Sequence, residues 1–412
     1  MKNILRNAAL LSASLLALDV AAEGAASQGP VLSFGGSITG AAIGTQQKVR
    51  LQGNSPAVNF MSKGNLVMNV GGTANNGMGY GGVAVLNFDK AKGGNERISE
   101  AYIYMNHDCI GSLKIGDTED VTQIMMYTGA DVLGGLGGTM GDLNKFINMI
   151  RTVDFRPSIA PANDKATKIV WVSPEIRGFQ AGIGFTPSTK LHGRVTRGVE
   201  FNPGPENNTL KNASFTPYST NTLTGGLSYN KAFSKCNLGL YVVGQSGKSK
   251  NDATLAPKTS AKTYKHTSGY QVGTLLDYQN WQFGASWFDK KKTLVRSSAL
   301  TAGHTNTKGI DAAVGYDFAR NANVAIGHTH TYRKVTGGDA KADVTTVTLD
   351  YVMAPGWVAF AELDHFRLKA PAAAVATATG PSTTGIDIYA NRDGLNRNNH
   401  GTVLVLGTKL RF

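Results

Sequence analysis

Two cysteines, Cys109 and Cys236, in 412 residues exclude the disulfide framework that holds small secreted domains together. They fall in turns expected to lie about four strands apart. At about 4.8 Å per strand that separation exceeds the roughly 7 Å Cα limit for a bridge, so both are expected as thiols. Charged residues are also few, at 17%, and the 28 acidic residues are outnumbered by 41 basic ones. The formal charge of +13 comes with no basic helix and no aromatic RNA-binding motif, which argues against nucleic acid as a partner. Beyond the first 26 residues, no apolar run approaches the roughly 20 residues that a membrane-spanning helix needs. Chemistry is as sparsely provided for. There is no G-x-S-x-G nucleophile elbow. Gly244-Gln245-Ser246-Gly247-Lys248-Ser249 is two residues short between its glycines for a phosphate loop, and no helix follows it. His328 and His330 share a strand face, but two ligands are too few for a metal. No catalytic residue, metal or cofactor is expected.

What is present begins at the carboxyl end. In Gly401-Thr402-Val403-Leu404-Val405-Leu406-Gly407-Thr408-Lys409-Leu410-Arg411-Phe412, Thr402, Leu404, Leu406, Leu410 and Phe412 share one face of a strand. Val403, Gly407, Lys409 and Arg411 share the other. An apolar face opposite a small or charged one, over the 9–11 or so residues that cross a hydrocarbon layer, is the profile of a transmembrane β-strand. The amino terminus agrees about compartment. Lys2 and Arg6 precede an apolar stretch from Ala8 to Leu18, and small residues follow, so a secretory signal is expected over 1–22 with cleavage after Ala22. The anchor-helix alternative is interrupted by Asp19 and Glu23.

From residue 31 onward, alternating segments recur between turn-rich connections. Phe179, Ala181, Ile183 and Phe185 oppose Gln180, Gly182 and Gly184. Trp281, Phe283, Ala285 and Trp287 oppose Gln282, Gly284 and Ser286. Ile310, Ala312, Val314 and Tyr316 oppose Asp311, Ala313, Gly315 and Asp317, and Val347, Leu349 and Tyr351 oppose Thr346, Thr348 and Asp350. A soluble sandwich would put Lys and Glu on its polar face. Gly, Ser, Thr and lone Asp point instead to a curved wall around a lumen. The expected fold is therefore all-β: a transmembrane antiparallel barrel of about sixteen strands, forming one domain over 23–412. Short links alternate with long ones at 118–166, 187–222, 246–265, 290–306 and 369–400, which fits periplasmic turns and external loops.

The connection at 118–166 stands apart. Ile124, Met125, Met126, Val132, Leu133 and Leu136 are too densely apolar to be left in water, and the nearest cover is the barrel's own interior. Here the chain resembles the Gram-negative general porins, the trimeric diffusion channels of the outer membrane. The resemblance is carried by Lys114-Ile115-Gly116-Asp117 before a long third loop with a Gly-rich acidic tip, by Thr167-Lys168-Ile169-Val170-Trp171-Val172-Ser173-Pro174 leading to Gly178-Phe179, and by the terminal Phe412. It implies a third external loop folded inward, whose carboxylates face basic side chains across the pore. Carried over residue by residue, Asp131 and Asp142 at the tip and Glu119 and Asp120 at the root form the acidic side. Arg97 and Lys63 occupy the fourth- and second-strand basic positions. Val170 stands where many members have Arg, so Lys168 takes that role, and Arg151 and Arg156 add charge in the returning limb. Strand parity raises a conflict at Arg97, because an inward Arg97 would turn Glu100 toward lipid. A mid-bilayer carboxylate is costly, so Glu100, Tyr102 and Tyr104 are expected inward, with a bulge near Arg97 or Arg97 above the bilayer.

The resulting expectation is a homotrimeric outer-membrane channel for small polar solutes and ions, in contact with outer-membrane lipid and lipopolysaccharide. The excess of loop lysine favours anions. The alternatives are a channel specific for an anion, phosphate or sugar, and a plugged structural, adhesive or enzymatic barrel.

Overall fold

In a computed structural model of the chain, the residues described are 28–48, 57–88, 98–148, 154–159, 165–189, 218–250, 265–293, 306–335, 338–370 and 398–412. The expected signal at 1–22 lies outside them, as do Arg97 and Arg151. Sixteen antiparallel strands close into a barrel in which each strand pairs with its neighbours in sequence. They are β1 (Gln28–Gln47), β2 (Val58–Thr73), β3 (Gly79–Asn87), β4 (Ile98–His107), β5 (Gly111–Asp117), β6 (Thr167–Val172), β7 (Phe179–Ser188), β8 (Tyr218–Ala232), β9 (Cys236–Lys250), β10 (Thr267–Tyr278), β11 (Trp281–Asp289), β12 (Lys308–Ala319), β13 (Ala322–Val335), β14 (Gly338–Ala354), β15 (Trp357–Lys369) and β16 (Asn398–Arg411). Closure comes from β16 on β1, in a register running from Ser37 opposite Arg411 to Gln47 opposite Gly401. A closed sheet leaves no unpaired edge, which is the condition for strands to stand in lipid.

The period-two pattern decides the two faces. On β16 Val405 is fully buried while Leu406 is 52% exposed, and on β12 Asp311 is buried beside the exposed Ile310. The outward face is apolar and the inward face is rich in Thr, Ser, Gln and carboxylates. That is the inverse of a soluble sandwich and suits a hydrocarbon exterior. Aromatic rings gather at the short-turn end, where Trp281 lies 4.6 Å from Tyr316 and Phe179 lies 4.6 Å from Tyr229. At the other end Tyr270 and Trp287 pair at 5.3 Å, with the Lys291 ammonium 4.6 Å above the Tyr270 ring. Two aromatic belts with a cation beyond one of them match the two interfaces of a bilayer. Cys109 and Cys236 are free thiols.

Strand four settles its parity as the cost of a lipid-facing carboxylate requires. Glu100, Tyr102 and Tyr104 are buried inward and Ile103 faces out. The β3–β4 register pairs Val85 with Glu100 but Leu86 with Ile98, so Ser99 is the extra residue of a bulge. Strand β14 begins at Gly338, well before the alternation of Thr346 to Tyr351 that marks it in the sequence. Ala340, Ala342 and Val344 continue its buried inner face, while Asp339, Lys341 and Asp343 lie on the other. The outward charges mask the strand in a hydropathy reading, although they belong above the hydrocarbon. His328 and His330 also point outward, the first to Thr345 at 2.9 Å and the second to Asp343 at 2.6 Å.

The connection after β5 turns into the barrel. It carries two one-turn helices, α1 (Val121–Ile124) and α2 (Leu143–Phe146), and two 3₁₀ turns, at Gly129–Asp131 and Gly138–Met140. Its apolar residues meet inward-facing wall residues: Val121 and Met125 with Val170 and Val243, Val132 and Leu133 with Ala313 and Ala325, and Leu136 and Leu143 with Phe366 and Val405.

The facing assignment predicts a lipid-side effect. Ile326→Arg, on the outer face of β13 away from either strand end, is expected to lower the unfolding free energy in lipid vesicles by about 2–4 kcal/mol, as read by urea titration of tryptophan fluorescence. An unchanged midpoint would place that face away from hydrocarbon.

Candidate functional site

The inner wall is shaped for the loop. Gly182, Gly226, Gly273, Gly284, Gly315 and Gly327 lie on the lumen face beneath it. A Cβ at Gly284 would come within 2.8 Å of both the Thr128 carbonyl and Val132, and one at Gly182 within 2.8 Å of the Met125 sulfur. The absence of side chains there lets loop backbone lie directly on sheet backbone.

Such close approach strips water from peptide N–H groups, which then need acceptors. The wall supplies carboxylates. Asp311 on β12 accepts from the Gly129 N–H and from the Ser286 hydroxyl. Asp350 on β14 accepts from the Gly135 N–H at 2.8 Å. Glu362 on β15 accepts from Leu136 at 2.6 Å and Gly137 at 3.2 Å. Gly134 donates to the Thr348 hydroxyl at 3.0 Å, Thr139 bonds Thr329 at 3.1 Å, and Asn148 donates its N–H to the Gln47 side chain at 2.9 Å. The loop is thus fastened at successive points from β12 round to β1. Gly135 has φ +58°, and a Cβ on it would meet Glu362, so both its backbone and its neighbour require glycine.

The residues expected on the acidic side separate into distinct roles. Asp120 caps α1, accepting from Thr122 N–H at 2.7 Å, from Gln123 N–H at 3.3 Å and from the Thr122 hydroxyl. Asp131 folds back onto Thr128, accepting from its N–H at 2.6 Å and its hydroxyl at 3.0 Å. Burial raises the Asp131 pKa against the opposing effect of these bonds. Both carboxylates therefore secure turns of the loop itself. Glu119 lies 3.9 Å from Lys165, whose ammonium also holds Glu100 at 2.6 Å.

Asp142 is the loop carboxylate that pairs with a cation of the barrel wall. It bonds Lys63 of β2, and Lys145 at 2.8 Å. Burial alone would push its pKa up, but the two ammonium groups more than offset this and leave the carboxyl below its usual range. The pairing is consequently fully present at neutral pH and is lost only as pH falls through that lowered value. Lys168 is buried and donates to the Thr118 carbonyl, bracing the root of the loop. Arg156 pairs with Asp154, its Nε at 3.2 Å and Nη2 at 3.3 Å, while its carbonyl accepts from Lys290 at 2.9 Å. Among the expected residues that are described, the structure brings Lys63 and Asp142 together, leaves Glu119, Asp120, Asp131 and Arg156 at separate points along the connection, and puts Lys168 on β6.

Asp311, Asp350, Glu362 and Lys409 are contacts that a search for an acidic tip facing a basic ladder passes over. Lys409 donates to the Gly135 carbonyl at 3.1 Å. The signals available were the lone inward carboxylates on otherwise small-residue faces, and the Thr-x-x-Asp spacing of Thr128 and Asp131, which marks a turn-capping residue.

A family model described as Gram-negative porin matches residues 11–371. Curated relatives include an uncharacterized protein of Rickettsia bellii, 25% identical over 73% of this chain and 74% of that protein, and the uncharacterized protein RP068 of Rickettsia prowazekii, 24% identical over the same shares. Solved structures of similar fold include Salmonella typhi OmpF in complex with daunomycin, with TM-score 0.58, 12% identity, and coverage of 92% of this chain and 97% of that one. The trimer form of OmpT, an outer membrane protein of Vibrio cholerae, has TM-score 0.56 at 10% identity, and a mutant of the Rh. blastica porin has 0.54 at 12%, each covering 93% of this chain and all of the other. The family match across most of the chain, joined to a closed sixteen-strand barrel with an apolar exterior and an inward-folded third loop, means that this outer-membrane protein belongs to the Gram-negative porin family.

Proposed function

We propose that the protein is a water-filled channel through which small hydrophilic solutes and ions diffuse passively, selected by size and charge where the loop crosses the lumen. The observation that carries this reading is the manner of attachment. Loop N–H groups bonded to Asp311, Asp350 and Glu362, together with the Lys63–Asp142 pair, hold the segment at fixed points on the wall. A fixed constriction sieves continuously, whereas a loosely held segment would gate. Opposed charges across a narrow aqueous passage order its water, so that small polar solutes pass and bulky apolar ones do not.

The mature chain starts after the leader at 1–22 and works as a homotrimer in contact with outer-membrane lipid and lipopolysaccharide. Leu32, Phe34 and Ile38 of β1 form an exposed apolar face with small Gly36 and Gly40 among them, which suits packing against another barrel. The excess of basic residues outside the bilayer, such as Lys290, Lys291 and Lys292 beyond β11, attracts anions to the external mouth. Removal of the leader takes Lys2, Arg6 and Asp19, changing +13 to +12, and leaves that attraction in place.

Planar-bilayer recording tests the reading. The expected result is conductance in three equal steps with a permeability ratio that favours chloride over potassium. Silence would indicate a plug, and lipid hydrolysis without conductance would indicate an enzyme. Asp142→Ala removes the loop carboxylate facing Lys63 and is expected to raise chloride preference by about twofold or more. Asp131→Ala, which loosens a turn, is expected to shift selectivity less. An unchanged reversal potential in the Asp142 variant would remove that pair from the selection step.

The attachment itself predicts a local effect. Glu362→Leu leaves the Leu136 and Gly137 N–H groups without their acceptor. At about 1.4 kcal/mol per tenfold, the loss of charged hydrogen bonds worth about 1.5–3 kcal/mol should speed exchange of those two amides by roughly tenfold to a hundredfold, with β12 amides unaffected. Equal exchange rates in the variant and the parent would show that the wall carboxylate does not hold the loop.

A further inference from the structure

Between the underside of the loop and the short turns lies a cavity of about 260 Å³. Its roof is the loop segment Val132–Gly135, and Asn321 and Gly356, from the short turns after β12 and β14, lie at its other end. The chamber thus lies along the β11–β16 side of the lumen, between the loop and the short-turn mouth. Its polar lining is divided by sign. Asp317 of β12 and Asp350 of β14 stand on one side, and Lys409 and Arg411 of β16 on the other.

Gly135 gauges the separation of these charges. Its N–H is held by Asp350 at 2.8 Å and its carbonyl by Lys409 at 3.1 Å, so the anionic and cationic groups flank a single residue. Asp317 is steadied by the Asn323 amide at 2.8 Å. The Arg411 guanidinium has no hydrogen bond among the described residues, which leaves a planar donor fork directed at the chamber. Phe360 and Val358 complete the lining with apolar surface. The loop supplies peptide backbone and apolar side chains to this chamber, and its carboxylates are engaged elsewhere. This charge separation is thus built by the barrel wall, from residues other than the Lys63–Asp142 pair.

We propose that this chamber is a binding site for small zwitterionic solutes of the α-amino-acid class, and that the channel favours them over neutral or singly charged molecules of equal size. The carboxylate of the solute bonds Arg411 and Lys409, its ammonium bonds Asp350 and Asp317, and an aliphatic side chain lies on Phe360 and Val358. A solute of one charge satisfies one side and leaves the other to be desolvated without a partner, which is where the discrimination arises. The preference among passing solutes rests on the open-channel reading, because selection during passage needs an open lumen, whereas binding itself needs only entry from the short-turn mouth.

Three ligands of one skeleton separate the possibilities: L-leucine, isocaproate, which lacks the ammonium, and isoamylamine, which lacks the carboxylate. Titration calorimetry on the detergent-solubilised full protein is expected to give saturable binding of L-leucine at least tenfold tighter than either relative. Arg411→Gln and Asp317→Asn are each expected to weaken leucine binding by tenfold or more, with barrel circular dichroism unchanged. Asp317→Asn should leave isocaproate binding as it was, an outcome that general damage to the site would not produce. Isocaproate binding as tightly as leucine would reduce the chamber to a plain anion site and overturn the proposal. Absence of saturable leucine heat, or its persistence in folded Arg411→Gln, would overturn it too. Bilayer conductance distinguishes the two readings: conductance without leucine binding sinks the chamber alone, and leucine binding in a silent protein sinks the open channel.

Discussion

The lumen of this barrel is organised by one kind of contact, peptide N–H groups of a loop donated to carboxylates of a wall. Gly129, Gly135, Leu136 and Gly137 give their N–H groups to Asp311, Asp350 and Glu362. Each partner needs the other. A loop laid against a sheet loses the water that served its backbone, and a carboxylate covered by that loop loses the water that served its charge. Bonding one to the other removes both penalties. It also demands that the two chains approach closely, which explains glycine on both sides: Gly134 and Gly135 in the loop, Gly273 and Gly284 in the wall.

The same contact divides the labour among carboxylates. Wall acids hold the loop, Asp120 and Asp131 hold its turns, and Asp142 pairs with Lys63 where the loop meets β2. The charge of the passage thus depends less on how many acids the loop contains than on which of them have no backbone to serve. On the underside of the loop Asp317 and Asp350 face Lys409 and Arg411 from strand to strand. The lumen thus holds an ion pair shared between loop and wall, and beneath the loop a charge separation built from the wall.

Much of the fold was legible in the sequence because a barrel in lipid obeys a strict rule. Every strand must alternate, and Leu404, Leu406 and Leu410 against Val403, Val405 and Lys409 could hardly be arranged otherwise. The cost of turning Glu100 to hydrocarbon was enough to fix the parity of β4 and to anticipate its bulge. The start of β14 was obscured because Asp339, Lys341 and Asp343 lie beyond the bilayer, where the rule lapses. The site was less readable for a different reason. Sequence displays side-chain charge, whereas the donors that bind Asp311 and Glu362 are peptide groups, which every residue carries and no residue advertises. The Thr128-x-x-Asp131 spacing was the one local sign that a tip carboxylate was already committed.

The central claim is that a loop fastened to wall carboxylates sets the bore. It is tested most directly by the size of polymer that enters the channel. Conductance measured with poly(ethylene glycols) of graded mass should show a sharp cut-off for the parent protein, and a cut-off at distinctly larger polymers when Asp311→Ala and Glu362→Ala are combined. An identical cut-off in the two proteins would mean that the bore is set by something other than the fastened loop.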